Sequence, residues 1–404
     1  MPTVVIVGAG PAGGALAYLL ARRGVGVTLL ERHTDFAREF RGEGLMPSGV
    51  AAFAEMGLGT ALDAVPQARI AALEAFRGSR PWFRITPAQL GAAGPRIVSQ
   101  PAMLEMLAAE AARFPTFRLE RGFTVRDLVR HDGRVVGVHG DGPGGAREIR
   151  ADFVVGTDGR TSVVRARAGL RPERALQAFD VVWAKVPLPP FLVPGTARAY
   201  LGDRHFALAF PSYDGRLQIG WIIEKGSFGD LRRRGIESWL DEMTAHVSAD
   251  LAAHLRAERA AMTQPFLLDV MSDRLERWTE PGLLLLGDAA HPMSPVGAQG
   301  VNLALRDAIV AANHLCPVLA AGATPSAVDA AAERAVAERM PEVVAIQRLQ
   351  QRPPRLLFRQ SRLAGVVMET LVPLLVRTGI ATRVAGRVFR RFANGVTTVR
   401  LSAC

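Results

Sequence analysis

Cysteine is almost absent from this chain, and lysine is equally scarce. The 404 residues contain two cysteines, Cys316 and Cys404, which are too few for a disulfide framework or a thiolate metal site. The scarcity also excludes a disulfide reductase, which needs a redox-active cysteine pair. We therefore expect a reduced, cytoplasmic setting. The lysines are Lys185 and Lys225, so nearly all of the positive charge comes from arginine.

The positive charge is concentrated towards the carboxyl terminus. The formal net charge is +11, and residues 353–404 carry nine arginines but one acidic residue, Glu369. Because the rest of the chain is close to neutral, we exclude a broadly basic nucleic-acid-binding protein. The histidines show no spacing that indicates a metal site, and we predict no signal peptide and no membrane-spanning helix.

The composition and the strand and helix patterns predict two closely packed domains. The chain is 49% hydrophobic and 22% charged, as in an ordinary globular protein. Strands at 3–7 and 25–31 flank a helix at 12–23, which predicts a parallel sheet. Residues 140–145 are rich in glycine but lie between two strand patterns, so they predict a hairpin turn. Other strands are predicted at 70–76, 82–85, 179–186, 197–200, 207–210 and 217–223, and helices at 101–113, within 229–262 and from 301 onwards.

Three motifs that carry glycine or aspartate dominate the sequence. Residues 4–13 read VVIVGAGPAG, residues 154–159 read VVGTDG, and residues 283–292 read LLLLGDAAHP. In the first motif, Gly8, Gly10 and Gly13 follow a strand and open a helix, which is the dinucleotide-binding pattern. The helix amino terminus then faces a pyrophosphate, and Glu31 at the end of the next strand can accept hydrogen bonds from a ribose. This pattern alone does not distinguish NAD from FAD.

The second and third motifs make the pattern more specific. The sequence RTSVVR follows Asp158 and Gly159, and PVGAQGVN occupies residues 295–302. With these motifs, residues 1–310 resemble the single-component FAD-dependent aromatic hydroxylases, which are p-hydroxybenzoate hydroxylase-like monooxygenases. The resemblance implies FAD as cofactor, NADH or NADPH as a transient reductant, and O₂ as co-substrate. It also implies a flavin C4a-hydroperoxide that hydroxylates or epoxidises a hydrophobic aromatic, polyketide-derived or quinone-type substrate.

The resemblance also implies a fold and a set of cofactor-binding residues. We expect an α/β fold with a discontinuous Rossmann-like FAD-binding domain at 1–69, 100–177 and 268–340. A β-sheet substrate domain is expected at 70–99 and 178–267, followed by a C-terminal helical segment at 341–404. The residues expected to bind the cofactor are Gly8, Gly10, Ala12, Gly13, Glu31, Arg32, Arg41, Gln100, Asp158, Asp288, Pro295, Gly297, Gly300, Val301 and Asn302. Gln100 departs from the family, because many relatives carry arginine there.

The sequence does not identify the catalytic residues or the substrate. His205, Tyr200 and Tyr213 are weak catalytic candidates, while His291 is interpreted as structural. Aromatic residues of the β region that can line the substrate pocket are Trp183, Phe206, Phe210 and Trp221. The alternatives are a flavin-dependent reductase or dehydrogenase of an isoprenoid-like lipid, and a non-catalytic FAD-binding protein. A flavin halogenase is disfavoured, because its Trp-x-Trp-x-Ile-Pro signature and its active-site lysine context are missing. The oligomeric state is not predicted.

The arginine-rich tail predicts an amphipathic helix. At 100° per residue, Ile380, Val384, Val388 and Phe392 share one arc of segment 379–393. Arg383, Arg387, Arg390 and Arg391 fall on the opposite side. We favour a helical layer that packs on the catalytic body with its arginines in solvent. The alternatives are contact with an anionic membrane surface and an arginine-lined entry path for an anion.

Overall fold

The computed structural model describes residues 2–37, 43–90, 93–173, 177–202, 205–351 and 380–402. The strands in chain order are β1 (Thr3–Val7), β2 (Gly26–Glu31), β3 (Gly44–Leu45), β4 (Gln67–Arg69), β5 (Ala72–Arg77), β6 (Arg80–Ile85), β7 (Arg96–Val98), β8 (Phe117–Arg121), β9 (Thr124–His131), β10 (Arg134–Gly142), β11 (Gly145–Arg150), β12 (Phe153–Gly156), β13 (Phe179–Pro187), β14 (Thr196–Gly202), β15 (His205–Pro211), β16 (Arg216–Glu224), β17 (Phe266–Leu268), β18 (Thr279–Glu280) and β19 (Leu283–Leu285). The helices are α1 (Pro11–Arg22), α2 (Pro47–Glu55), α3 (Gly59–Asp63), α4 (Gln100–Ala111), α5 (Val163–Arg167), α6 (Phe228–Thr244), α7 (Ala249–Ala257), α8 (Gln299–Ala320), α9 (Pro325–Gln350) and α10 (Ile380–Asn394).

A six-stranded sheet forms the first layer, in the order β18-β19-β12-β1-β2-β8. All of its strand pairs are parallel except β18 with β19. The sequence favours this arrangement because β1, β12 and β19 are short runs of buried apolar residues, as expected for strands covered on both faces. Helix α1 crosses from β1 to β2 and packs against α4 and α8. The predicted β-α-β start of the chain is confirmed.

A seven-stranded sheet, in the order β17-β13-β16-β15-β14-β5-β6, forms the second layer. Its strands come from residues 72–85 and 179–268, and all of its strand pairs are antiparallel except β14 with β5. All six strands predicted within these segments are confirmed, with ends that shift by at most about two residues. Helices α6 and α7 follow the sheet, and α6 is kinked at Gly235, whose φ is 84°.

The two faces of the larger sheet have different neighbours. On one face, Trp221 packs with Trp239 of α6 in a core that also contains residues of α7. On the other face, Trp183 and Phe210 pack together, and Val296 of the segment before α8 packs against their cluster. Since side chains alternate along a strand, every residue of this sheet belongs to one of these two environments. We call the face that carries Trp183 and Phe210 the inner face.

Two three-stranded sheets complete the β structure. In one of them, β10 and β11 pair antiparallel through Gly142 and Gly145, so the predicted hairpin at 140–145 is confirmed. In the other, β7 pairs with both β3 and β4. This small sheet pairs β7, from the predicted substrate-domain segment 70–99, with β3 and β4 from the predicted FAD-domain segment 1–69, and the domain limits therefore stay a prediction.

Helix α8 is the longest apolar helix of the described chain. By length and composition alone it could cross a membrane, and 72% of its most apolar window is buried inside the protein. Leu305, Ala308 and Leu315 are fully buried in the main core. Because the core helix of a globular protein passes the same length and hydropathy test, α8 is explained by its burial between α1 and α9.

Helix α10 confirms the helix that was predicted in the tail. Gly386, Phe392 and Ala393 are buried, whereas Arg387, Arg390 and Arg391 are exposed. Residues 352–379 and the side chains of 380–385 and Val388, including Arg383, lie outside the described part. In the described part, the helix packs its apolar side on the protein and turns these three arginines to the surface, as the favoured interpretation predicts.

A buried cluster of charges links α8 to α9. Asp307 of α8 accepts hydrogen bonds from His291 Nε2 at 2.7 Å and from Arg339 Nε at 2.8 Å, and all three side chains are at most 1% exposed. Burial alone would raise the pKa of the Asp307 carboxyl, but the charges of His291 and Arg339 outweigh it and lower that pKa to about 2. His291 is therefore part of the core, which agrees with its structural interpretation.

Glu342 extends this cluster to the end of the chain. Its carboxylate pairs with Arg339 and with Arg306, and it accepts backbone hydrogen bonds from Val396 at 2.8 Å and Thr397 at 3.2 Å. Arg306 also donates to backbone carbonyls of the same terminal segment. The segment after α10 is thus held by buried charges of α8 and α9.

We predict that Glu342→Gln lowers the free energy of unfolding by about 3–5 kcal/mol, because it removes the ion-pair partner of buried Arg306 and one of the two carboxylates that pair with buried Arg339. Urea denaturation measures the change. Glu338→Gln on the same helix is the matched control: this half-exposed carboxylate pairs with His314, and its loss should cost at most about 1 kcal/mol. Equal unfolding midpoints for the two variants would contradict the prediction.

Candidate functional site

The loop between β1 and α1 has the shape that the dinucleotide pattern predicts. Gly8 has a φ of +98°, which glycine adopts without strain, and a Cβ at Gly13 would lie 2.0 Å from the Gly8 carbonyl oxygen. Only glycine at position 13 permits this close approach of helix and strand. A Cβ at Gly10, in contrast, would have no protein atom within 4 Å. The backbone at the amino terminus of α1 is therefore accessible to an anion, which the helix dipole favours.

Glu31 holds this loop in place. Its buried carboxylate accepts hydrogen bonds from the Ala9 and His33 backbone N–H groups, each at 3.1 Å. Arg32 is exposed, and its Nε donates to the His33 ring at 3.0 Å. The structure thus places Glu31 beside the glycine loop, where the sequence predicted it, and adds a structural role that the sequence did not reveal.

The second motif contacts the first through Thr157. The Thr157 hydroxyl donates to the Val7 carbonyl at 2.9 Å and to the Gly8 carbonyl at 2.6 Å. The next residue, Asp158, caps α5: it accepts from the backbone N–H groups of Val163 at 2.7 Å and Val164 at 3.1 Å. Burial raises the pKa of the Asp158 carboxyl, although these hydrogen bonds oppose the shift.

Two arginines of the second motif reach the third motif. Arg160 Nε lies 3.2 Å from the Asp288 carboxylate, and Arg165 donates to the Ala289 carbonyl at 2.9 Å. The Asp288 side chain is 31% exposed, so it remains accessible to a ligand. A Cβ at Gly287 would lie 3.3 Å from the Ala12 side chain of α1. The three motifs, which are distant in sequence, therefore form one continuous surface.

The segment before α8 forms a tight turn next to this surface. Gly297 and Ala298 have φ values of +73° and +52°, and the Ala298 N–H donates to the Pro295 carbonyl at 3.0 Å. No side chain caps α8, and its first turn carries no acidic residue. The backbone N–H groups of Gly300 and Val301 lie in that first turn, where an α-helix leaves its N–H groups without intrahelical partners, so this amino terminus favours an electron-rich ligand.

Two side chains of α8 fix this turn to other parts of the chain. Asn302 is fully buried; its Nδ2 donates to the Gly44 carbonyl at 3.2 Å, and its Oδ1 accepts from the Met46 N–H at 2.8 Å. Gln299 donates to the Phe392 carbonyl of α10 at 2.9 Å. The turn is thus held between β3 and the C-terminal helix.

Glu43 connects the residues before β3 with the larger sheet. Its carboxylate lies 3.5 Å from Lys185 Nζ of β13 and accepts from the Ser212 hydroxyl at 3.4 Å. Burial raises the pKa of Glu43 to about 7, and the nearby Lys185 only partly offsets the shift. A buried carboxylate with this pKa can exchange a proton near neutral pH.

The aromatic and catalytic candidates divide between the two faces of the larger sheet. Trp183 and Phe210 lie on the inner face, and strand alternation places Phe206 there as well. Trp221 and Tyr200 lie on the opposite face in the helix-covered core, where His205 stacks on His246. Tyr213 lies in the β15–β16 turn with its ring 4.5 Å from Lys185 Nζ. Of the catalytic candidates His205, Tyr200 and Tyr213, only Tyr213 lies near Glu43 and Lys185.

Gln100 and Arg41 are two further residues that the sequence predicts to bind the cofactor. Gln100 opens α4, whose N-cap is Ser99. Arg41 lies outside the described residues. Within those residues, no group of three or more histidine, cysteine, aspartate or glutamate side chains is arranged to hold a metal ion.

A surface cleft of about 630 Å³ lies away from the three motifs. Its lining includes Trp82 and Asp250, and it opens beside the helix-covered face of the larger sheet. Arg198 in this cleft is paired with Glu74 and Asp250 at 3.1 and 2.8 Å. Because its charge is already neutralised and the cleft is remote from the glycine loop, we do not assign the reaction to it.

Comparison with known proteins agrees with this geometry. The sequence matches the FAD binding domain family (FAD_binding_3) over residues 1–344. It is 33% identical over 406 residues to 6-methylpretetramide 4-monooxygenase of Streptomyces rimosus, covering 98% of this chain and 93% of that protein. The chain belongs to the FAD-dependent aromatic monooxygenase family. The resemblance found in the motifs is confirmed.

The chain is also similar to more distant proteins. The chain is 26% identical over 333 residues to digeranylgeranylglycerophospholipid reductase 1 of Methanopyrus kandleri, covering 75% of this chain and 77% of that protein. The crystal structure of p-nitrophenol 4-monooxygenase from Pseudomonas putida DLL-E4 matches with a TM-score of 0.82 at 19% identity, covering 98% of this chain and 100% of that one. This structural likeness shows the fold alone.

The residues present in this flavoprotein fit FAD. The accessible backbone at Gly10 suits a pyrophosphate, the accessible carboxylate of Asp288 suits polyol hydroxyls, and the uncapped amino terminus of α8 suits an electron-rich ring edge. The sequence alone assigns no role to Thr157, Arg160 or Lys185. A lysine flanked by apolar residues in a predicted strand is a signal that could have revealed Lys185.

We predict that Asp288→Ala weakens FAD binding by about 1.5–3 kcal/mol, roughly 10- to 100-fold in Kd, because a charged hydrogen-bond acceptor is lost. Fluorescence titration of the apoprotein with FAD measures the change. Asp241→Ala, which alters an exposed carboxylate of α6, is the control. Unchanged FAD affinity in the Asp288 variant would remove this residue from the site.

We also predict that Gly10→Val abolishes FAD retention without unfolding the protein. A Cβ at position 10 has no protein atom within 4 Å, so the melting temperature of the apoprotein should stay near that of wild type. The same side chain would block the approach of a phosphate to the backbone. The flavin content after purification measures the loss, and Gly144→Val in the β10–β11 turn is the control. A variant that keeps its flavin would contradict the phosphate-loop assignment.

Proposed function

We propose that this protein is an FAD-dependent monooxygenase that uses NADH or NADPH and O₂ to hydroxylate or epoxidise a hydrophobic aromatic, polyketide-derived or quinone-type substrate. The convergence of the three motifs on one surface carries the proposal. The similarity to 6-methylpretetramide 4-monooxygenase over nearly the whole of both chains supports the substrate class.

In this proposal, each motif binds one part of FAD. The Gly8–Gly13 loop, with Ala12, holds the pyrophosphate at the amino terminus of α1, and Glu31 and Arg32 lie beside the adenosine ribose. Asp288 binds the ribityl chain, while Asp158 keeps the adjoining turn in shape. Residues 295–302 surround the flavin ring, with Pro295 against the ring and the backbone of Gly297, Gly300, Val301 and Asn302 at its pyrimidine edge.

The substrate site follows from where the flavin ring would lie. We call residues 295–302 the flavin-edge turn. Val296 of this turn packs against the inner face of the larger sheet, the face that carries Trp183 and Phe210. A substrate held there has apolar aromatic side chains on one side and the cofactor on the other. When bound, FAD supplies the redox chemistry. The protein excludes water and orients the substrate.

The second candidate function is reduction of an isoprenoid-like lipid. The similarity to the Methanopyrus kandleri reductase favours it, at lower identity and lower coverage than the similarity to the Streptomyces rimosus monooxygenase. The two reactions differ in their need for oxygen, because a reductase turns over anaerobically and a monooxygenase does not. A non-catalytic FAD-binding protein would show no substrate-dependent oxidation of NADH or NADPH.

We predict that purified holoprotein oxidises NADH or NADPH faster when a hydrophobic phenol or quinone is added, and that it consumes O₂ and forms an oxygenated product. Absorbance at the reduced-nicotinamide band, an oxygen electrode and mass spectrometry of the product measure these outcomes. The Gly10→Val variant serves as the flavin-free control. Product formation under strict anaerobiosis would instead establish the reductase. If none of a panel of hydrophobic phenols and quinones accelerates the oxidation of NADH or NADPH, the protein would be a non-catalytic FAD-binding protein.

A further inference from the structure

Three charged groups lead from the protein interior to solvent beside the proposed flavin site. The Glu43 side chain is 5% exposed, that of Lys185 is 13% exposed, and that of Asp214 is 32% exposed. Lys185 Nζ lies 3.5 Å from Glu43 and 3.0 Å from Asp214. The ammonium group therefore connects a buried carboxylate with one that is in contact with water.

Glu43 is attached directly to the segment that supports the flavin-edge turn. The next residue, Gly44, accepts a hydrogen bond from Asn302 in the first turn of α8 at 3.2 Å. A Cβ at Gly44 would lie 2.7 Å from the Ala298 side chain. The backbone of Glu43 is also fixed, because its carbonyl accepts from the Val98 N–H at 2.9 Å. Glu43 is thus held between the turn and the larger sheet.

The inner face of the sheet offers a second polar group next to Lys185. Gln218 of β16 is the register partner of Lys185 on β13 and of Phe210 on β15. It is 1% exposed, and neither atom of its amide has a hydrogen-bond partner among the described residues. A buried amide without partners is costly, so a ligand with a polar oxygen would be stabilised there.

The apolar surroundings define the kind of ligand. Trp183 lies two residues from Lys185 on the same face, and its ring contacts Phe210 edge to face at 5.9 Å between centroids. An aromatic ring fits against these side chains, and a polar oxygen on that ring can then reach the group formed by Glu43, Lys185 and Gln218. This arrangement suits a molecule with an acidic O–H group on an apolar ring system.

We propose that Glu43 is a catalytic base that accepts the proton of a phenolic or enolic O–H group of the substrate, and that Lys185 and Gln218 position the resulting oxyanion. The proposal rests on the proposed function. In this step the substrate O–H bond breaks, its electron pair stays on oxygen, and the proton passes to the Glu43 carboxylate. The electron-rich oxyanion activates the ring for attack on an electrophilic oxygen. The Lys185 ammonium and the Gln218 N–H group face the negative charge.

The raised pKa of Glu43 sets the direction of the pH dependence. Burial is the largest cause of the shift; Lys185 and Ser212 oppose it and Asp214 adds to it, and the ring of Tyr213 also lies over Lys185. A base must be ionised to accept a proton. Activity that depends on Glu43 is therefore present above a pH of about 7 and is lost as the pH falls below that value.

The first experiment compares pH profiles of kcat for wild type, Glu43→Gln, Glu43→Asp and Glu74→Gln with a phenolic substrate. Glu43→Gln should lower kcat by about 100-fold or more, since general bases contribute about 10²–10⁴-fold to the rate. It should also abolish the fall in kcat at low pH, which we call the acidic limb of the profile. Glu43→Asp should restore part of the rate and the limb. Glu74 is the matched control, because it lies on the opposite face of the same sheet. Flavin content and melting temperature verify that each variant is folded.

The second experiment needs no turnover. The probe is 1,4-dihydroxyanthraquinone, whose colour changes from orange to violet on ionisation, added to holoprotein at a mildly alkaline pH at which the free dye is neutral. Wild type and Glu74→Gln should give the spectrum of the ionised dye without releasing its proton to the buffer, because Glu43 retains that proton. Calorimetry in buffers of different ionisation enthalpy measures the proton release. In Glu43→Gln, any dye that ionises beside the Lys185 ammonium should release its proton to the buffer.

The outcomes separate this inference from the proposed function. Release of one proton to the buffer for each dye molecule ionised by wild type, or no ionised dye with wild type, would overturn the role of Glu43. An unchanged acidic limb in a fully active Glu43→Gln variant would do the same and leave the monooxygenase assignment intact. Failure of the monooxygenase assignment would appear instead as an absence of substrate-dependent O₂ consumption while wild type still ionises the dye.

Discussion

The parallel pairing of β1 with β12, and of β12 with β19, is the constraint on which the site depends. In parallel strands, all carboxyl ends lie at the same edge of the sheet, and the turn of each of the three motifs follows one of these ends. Residues more than a hundred positions apart are thereby brought together. Thr157 then fixes the spacing between the first two motifs through two hydrogen bonds to carbonyls at the end of β1.

Helix α8 connects the site with β3 and with the C-terminal segment. Its amino terminus presents the proposed flavin-edge turn, and its first turns carry Asn302, Arg306 and Asp307. The first of these residues holds β3, and the other two belong to the buried charge cluster that retains the C-terminal segment. Phe392 of α10 packs against Gly297. The site and the carboxyl terminus are therefore stabilised by the same helix, which explains why the tail packs onto the body.

The larger sheet separates two environments that the sequence cannot distinguish. Trp221 and Trp183 are both aromatic residues in neighbouring strands, yet one packs under α6 and the other faces the flavin-edge turn. Strand periodicity indicates which residues share a face, but not which face meets the cofactor domain. The inner face combines apolar rings with Lys185, Gln218 and Glu43, and this mixture supports binding of a ring system that carries an ionisable oxygen.

The sequence by itself determined the β-α-β start, the strands of the second sheet, the hairpin at 140–145 and the family. Each of these follows from local signals: glycine at turns, apolar strand runs and residue types required by a phosphate or a polyol. Tertiary structure alone decided that Glu31 braces the glycine loop, that Arg160 reaches Asp288, and that Glu43 meets Lys185 of the larger sheet. Such contacts join side chains from distant segments, and their energies depend on burial and distance, which are defined only after the chain has folded.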